Sequence, residues 1–226
     1  MTLLQIIDTT AAAKTLAAPE QSINLLDLIV KGGVVMIPIG ILSIVTIYLA
    51  IEKYISIRRA SKVDPGFMAN IKHMLLDGKT DAALSLCRSS NTPIARLLEK
   101  GIKRLGKPIM EIESAVENTG KLEIYKLEKN LAYLGIIAGI APLFGFVGTV
   151  FGVIRIFYNI SLHDNISIGL IAGGLYEKMI TTATGLLVGI MAHIAFHYLN
   201  TMIDRVSFQL ESTTVDFIDM IQEPSK

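Results

Sequence analysis

Residues 131–154 pass without a charge over 24 positions, inside the stretch LAYLGIIAGIAPLFGFVGTVFGVIRIF (131–157). About 20 apolar residues in helical form cross a bilayer, so this run is long enough to span one. Wound at about 100° per residue, it gathers Ala138, Ala141, Pro142, Gly145, Gly148, Thr149 and Gly152 within about one third of the circumference, with Leu143, Phe146, Val147, Val150 and Ile154 on the far side. A small face lets a second backbone approach closely, whereas bulky branched and aromatic side chains suit lipid or a broad helix contact. Pro142, Gly145, Gly148 and Gly152 therefore read as helix-packing positions. Thr149, in the middle of the small face, reads either as a packing hydroxyl or as part of a narrow polar path.

The rest of the chain agrees with a membrane setting. Of its 226 residues 51% are hydrophobic and the mean hydropathy is +0.52, too apolar for an average soluble domain. Two further spans are expected: 34–51, 18 residues without a charge, and 179–199, 21 residues whose only ionisable groups are His193 and His197. The expected fold class is all-α, an integral membrane protein with three transmembrane helices whose long helices extend into a helical cytoplasmic domain.

The distribution of charge orients the chain. Fifteen of its 21 lysines and arginines lie in 52–130; Lys53, Arg58, Arg59 and Lys62 follow the first span, Lys121, Lys126 and Lys129 precede the second, and 158–176 has none. The positive-inside rule then puts 52–130 and the C-terminus in the cytoplasm and the N-terminus outside. A net charge of +1 argues against a nucleic-acid binder. The single cysteine, Cys87, excludes an internal disulfide and is expected as a buried thiol. Residues 1–21 lack a basic start, so no cleaved signal peptide is read and the first span is expected to serve as the targeting signal.

In chain order, 1–33 is expected as an outer-side N-terminal segment with a short amphipathic helix opening at Ser22, and 34–51 as the first span, with Pro38 in its opening turns. The helical cytoplasmic domain covers 52–130: short helices at 65–76, 80–89 and 93–105, broken at Asp77 and Gly78 and reopened by Thr92 and Pro93. From Ile112 to Leu131 the apolar positions keep near-helical spacing, which predicts one long helix rising into the second span, 131–157. An outer loop and the start of the third helix (158–178), the third span (179–199) and a cytoplasmic C-terminal helix (200–226) follow. Pro142 should bend or loosen the second span, because it removes a donor where a freed carbonyl needs another partner.

Polar groups in or beside the spans carry the candidate chemistry. Glu177, at the membrane boundary, is costly unless paired and is a functional candidate by default. Arg155, at the outer end of the second span, is its expected partner, from the same or a neighbouring subunit, since Lys178 points about 100° away. On an ideal helix Glu177, Thr181 and Thr184 share one stripe, and Thr182, Gly185, Gly189 and His193 another about 140° round, so the two cannot both face one pore axis. His193 and His197 stand four apart, a spacing that can hold zinc or haem, but no third ligand is evident. No nucleophile elbow, phosphate loop or carboxylate pair is present, so neither a catalytic residue nor a metal or other cofactor is expected.

APLFGFVGTVFGVIRIF (141–157) and IAGGLYEKMITTATGLLVGI (171–190) resemble the two signature stretches of the MotA/TolQ/ExbB proton-channel family, and LEKNLAYL (127–134) fits its lead into the second span. The resemblance covers about 31–200 and is closest to the ExbB branch. It implies a multi-pass inner-membrane protein, N-terminus periplasmic, forming a pentamer whose second and third spans, bathed in lipid on the outside, surround ExbD-like subunits in a central pore. The assembly would use the proton-motive force to energise a TonB-like transducer for outer-membrane uptake; a TolQ-like stator is the near alternative and a non-transporting membrane scaffold the bland one. Thr149 matches the family's pore threonine of the second span, Thr182 that of the third, and Glu177 its glutamate, so Thr149, Thr182, Thr181 and Glu177 are the expected proton-path residues. Lys178, where the family has a small residue, and Met191, where it has proline, depart from the pattern and bear on the shape of the third helix. Threonine hydroxyls orient water but do not exchange protons near neutral pH, so a partner must bring the titrating carboxylate. The small face of the second span and the glycine-rich third span look surplus to a three-helix monomer, which also points to a homo-oligomer.

Overall fold

The computed structural model describes residues 32–62, 64, 66–162 and 168–222, and these are built from seven helices. The helix expected after Ser22 and residues 163–167 of the expected outer loop lie outside the described residues.

Helix α1 (Met36–Ala60) contains the first span. Pro38 sits in its first turn, where the missing N–H is one that has no helical acceptor anyway. The helix outruns its apolar stretch because its C-terminal end joins a core outside the spans, in which Ile57 and Ala60 are buried. Three short helices follow: α2 (Phe67–Leu76), α3 (Thr80–Ser89) and α4 (Pro93–Ile102). Gly78, at φ +70°, turns the chain between α2 and α3 in a conformation that a Cβ would strain. Thr92 caps α4, its hydroxyl accepting the Ala95 N–H at 3.3 Å, with Pro93 next in line.

Helix α5 (Ile109–Glu128) rises toward the membrane and α6 (Leu131–Leu162) forms the second span. The single long helix expected here is corrected: the chain breaks at Lys129 and Asn130, where Asn130 takes φ +71°. Asparagine tolerates that left-handed conformation, and one such residue leaves the apolar rhythm on either side intact, so periodicity does not reveal the break. The break is braced from α1, whose buried Lys53 donates Nζ–H to the Leu127 carbonyl at 3.4 Å, at the electronegative end of α5. The uninterrupted long helix is instead α7 (Ile168–Gln222), 55 residues joining the third span to the C-terminal segment. It passes through Met191 without a break, as a residue with its own N–H allows where proline would not.

Packing divides into two cores. The larger lies in the helical domain outside the spans, around Ile71, Cys87, Leu97, Leu98, Val116 and Phe217, with Gly101 leaving room for the Phe217 ring. The smaller joins Ile39 of α1, Ile137 and Ala141 of α6, and Val188 and Ala192 of α7 within the spans. Ile41, Ile44, Phe146, Phe151, Leu187 and Ile194 are exposed, an apolar exterior suited to lipid or another subunit. All three long apolar helices are long enough to cross a membrane.

Cys87 is 1% exposed. Burial, with a smaller contribution from Glu99, pushes its thiol up to about 11. Since the thiolate is the reactive species, maleimide should label the folded chain at neutral pH about two orders of magnitude more slowly than the denatured chain. Equal labelling rates would show that the α3–α4 core is open.

Candidate functional site at the seam of the second and third spans

Helices α6 and α7 run antiparallel and make the most extensive contact in the chain. Glycines bring their backbones together: a Cβ on Gly185 would lie 2.7 Å from the Ala141 carbonyl and 3.0 Å from Gly145 Cα, and one on Gly145 3.0 Å from Thr182 Cα. At Gly189 a Cβ would meet the Pro142 ring at 2.5 Å and the Ala138 carbonyl at 3.2 Å. That carbonyl is the one Pro142 deprives of its helical donor, so Gly189 lets α7 close over the disruption. Gly148 faces Thr181 and Val35, and the space beside Gly152 is filled by the Lys178 side-chain stem. The small face expected to be surplus is thus spent within the chain. The sequence shows how small a face is but not which helix takes it up, and the surfaces left for neighbouring copies in the spans are mainly the bulky ones.

In the middle of this seam the hydroxyls of Thr149 and Thr182 meet directly. Thr149 Oγ1 also lies 3.2 Å from the Lys178 carbonyl and 3.3 Å from the Gly145 carbonyl, and Thr182 Oγ1 3.0 Å from the Gly145 carbonyl. Two hydroxyls bring two protons to these three acceptor contacts and to each other, so the cluster has more acceptors than donors and rearranges by rotating O–H bonds alone. Both side chains are half-buried. Two residues 33 apart in sequence and on different spans are brought into one polar contact.

The other expected path residues do not join it. Thr181 is wholly buried and donates to the Gly32 carbonyl at 3.2 Å, tying α7 to the start of α1. Its hydroxyl is thus engaged in packing within the chain, apart from the Thr149 and Thr182 contact. Thr184 turns back to the Ile180 carbonyl at 2.9 Å. Glu177 is half-buried and Arg155 exposed, and the expected ion pair between them is absent from the chain. The seam runs through Gly152 against Lys178 and Ile156 against Gly174, so Arg155 and Glu177 each sit one residue, about 100°, off the contact line. The sequence reading missed Lys178 as a seam residue; its stem opposite a glycine was the available signal.

The rings of His193 and His197 meet edge-on with centroids 4.4 Å apart, and among the described residues no three His, Cys, Asp or Glu side chains gather as a metal set would. Outside the spans, buried Glu123 accepts from Arg96 at 2.5 Å and Lys126 at 2.6 Å. Burial raises its pKa, but the two hydrogen bonds and charges outweigh burial and hold the carboxyl below its ordinary value. Periodicity gave no hint of this buried charge.

Residues 89–212, more than half of the chain, match the MotA/TolQ/ExbB proton channel family. A putative biopolymer transport protein ExbB homolog of Methanothermobacter thermautotrophicus is 27% identical over 182 residues, 80% of this chain and 64% of that protein. The chain thus spans just under two thirds of that relative's length. A putative biopolymer transport protein ExbB-like 1 of Synechocystis sp. is 29% identical over 200 residues, 87% of this chain and 76% of its own. The Tol-Pal system protein TolQ of Haemophilus influenzae is 31% identical over 97 residues, 43% of this chain and 41% of its own. With three helices fit to cross a membrane and a threonine contact at the seam of two of them, the chain belongs to the MotA/TolQ/ExbB proton channel family.

Proposed function

We propose that this chain is the wall-forming subunit of an ExbB-like stator in the inner membrane, with its N-terminus periplasmic and its C-terminus cytoplasmic. Copies assemble as a ring, a pentamer, around the single spans of ExbD-like subunits, and the proton-motive force acting through that assembly energises a TonB-like transducer. The observation that supports this reading is the Thr149 and Thr182 hydroxyl pair, held by backbone carbonyls in an otherwise apolar seam. Such hydroxyls order water or present a hydrogen bond to a partner's carboxylate, and the partner supplies the group that titrates. A TolQ-like stator is the second reading, favoured by the likeness to the Haemophilus influenzae protein.

Valine matches threonine in shape and lacks the hydroxyl, and the carbonyls left behind belong to helices that already pair them. Thr149→Val and Thr182→Val are therefore expected to leave helicity and assembly intact, at a cost of about 1 kcal/mol or less each, and to reduce proton-driven function at least about tenfold. The check is energised uptake in cells lacking the native stator, with cross-linked oligomer as the control. Wild-type uptake by both variants would reduce the threonines to packing groups and favour a scaffold without transport.

A further inference from the structure

We propose that copies of this chain join head to tail through their cytoplasmic domains, an acidic groove on one copy receiving the basic arm of the next. The inference rests on the multi-subunit reading above and names the contact that closes the ring.

The first observation is a split of charge within one domain. Residues 52–107 carry twelve basic and five acidic side chains, a net of +7; 109–128 together with 200–222 carry three basic and nine acidic ones, a net of −6. Helices α2, α3 and α4 stack in that order onto the α5–α7 pair, so their basic layers lie toward one side of the domain and the acidic pair toward the other, while the basic end of α1 packs beside α5 and α7.

The second is an open groove of about 860 Å³ between α5 and the cytoplasmic half of α7. Glu113, Glu117, Glu128, Glu211 and Asp219 line it against a single cation, Lys121, and Leu97 and Ile218 supply apolar surface. Tyr125 and Val215, also in its wall, are 67% and 58% exposed although they belong to the part of the chain beyond the spans. Glu117 pairs with Lys121 at 3.7 Å, while Glu113, Glu128 and Asp219 form no ion pair among the described residues. On the basic arm Arg59, Lys62 and Lys100 are exposed and form none either.

Membrane geometry makes a second copy the fitting occupant. Copies inserted in one orientation are related by rotation about the membrane normal, and a contact between two different patches is then heterologous and closes into a ring. The small face of α6 is already taken by α7, so the spans offer neighbours mainly bulky surface that lipid covers equally well. Opposite charges on two sides of the same domain supply the direction of approach and suppress the wrong one, since like charges brought together repel.

The test is native mass spectrometry of the full-length chain in mild non-ionic detergent. Glu113→Lys with Glu211→Lys, or Lys62→Glu with Lys100→Glu, should each weaken the oligomer by about tenfold or more, and the four changes together should restore it because the attraction is then reversed in sign but kept. The wild-type oligomer should loosen as salt rises past about 0.1 M, where the screening length is about 10 Å. Slow Cys87 labelling shows that each variant is folded. Reversals that leave the oligomer unchanged overturn the proposal, as does a groove variant that loses only function, which would mark the groove as a site for a different basic protein. A wild-type chain that is purely monomeric sinks the ring reading itself, whereas a ring indifferent to these charges sinks this contact alone.

Discussion

Gly185→Ala should uncouple the second and third spans. The added methyl group would lie 2.7 Å from the Ala141 carbonyl and 3.0 Å from Gly145 Cα, and both obstacles are backbone, which no side-chain rotation relieves. Overpacking of a tight contact costs about 1–3 kcal/mol, and Gly185→Leu should exceed that range and abolish folded protein. The seam opens one turn from Thr182, so Gly185→Ala should also lose the Thr149 and Thr182 contact and with it energised function. Gly139→Ala is the control: nothing lies within 4 Å of a Cβ there, and alanine favours helix over glycine. The measurement is the temperature at which each variant loses its folded, detergent-soluble fraction. If the two substitutions behave alike, the backbones do not touch at Gly185.

Arg96→Met should give the largest loss in the helical domain outside the spans. It leaves Glu123, whose side chain is 4% exposed, with Lys126 as its only cation. Breaking a fully buried pair costs about 3–5 kcal/mol; with Arg96 38% exposed and Lys126 remaining, about 2 kcal/mol is expected. In the native chain the Glu123 pKa is lowered by its partners, so its contribution to stability is present above the ordinary carboxylate pKa and is lost as pH falls through the folded value. In Arg96→Met the carboxyl keeps only Lys126 against the same burial, so its pKa rises from the native folded value and its contribution to stability shrinks. The slope of stability against pH below the ordinary glutamate pKa, about 4.3, should therefore be shallower for this contribution. Adding Glu123→Gln should recover most of the loss, because removing both charges leaves none buried alone. Chemical denaturation of the variants across that pH range is the check, and a single variant as stable as the native chain would show the pair to be dispensable.

Much of this architecture is legible without coordinates, because the bilayer is a simple solvent. A charge-free run of 24 residues has few alternatives to a spanning helix. Turn chemistry at Gly78 and at Thr92 with Pro93 is equally local, and the structure has the short helices where those residues put them. Asn130 was not legible: one left-handed residue between two good helices leaves no trace in periodicity. Buried Glu123 was not legible either, since its burial depends on Arg96, 27 positions away.

The candidate site divides along the same line. The sequence by itself determined the all-helical membrane class, a small face carrying Thr149, a second stripe carrying Thr182, and the divergence of Thr181 from Thr182 by one helical step. These depend only on residue type and the 3.6-residue turn. Only the tertiary structure decided that the small face is consumed by α7, that Lys178 fills the space beside Gly152, and that Arg155 and Glu177 form no ion pair within one chain. Those outcomes depend on the register and rotation of two helices against each other, which glycine contacts within about a methyl group's width select and which neither helix encodes alone.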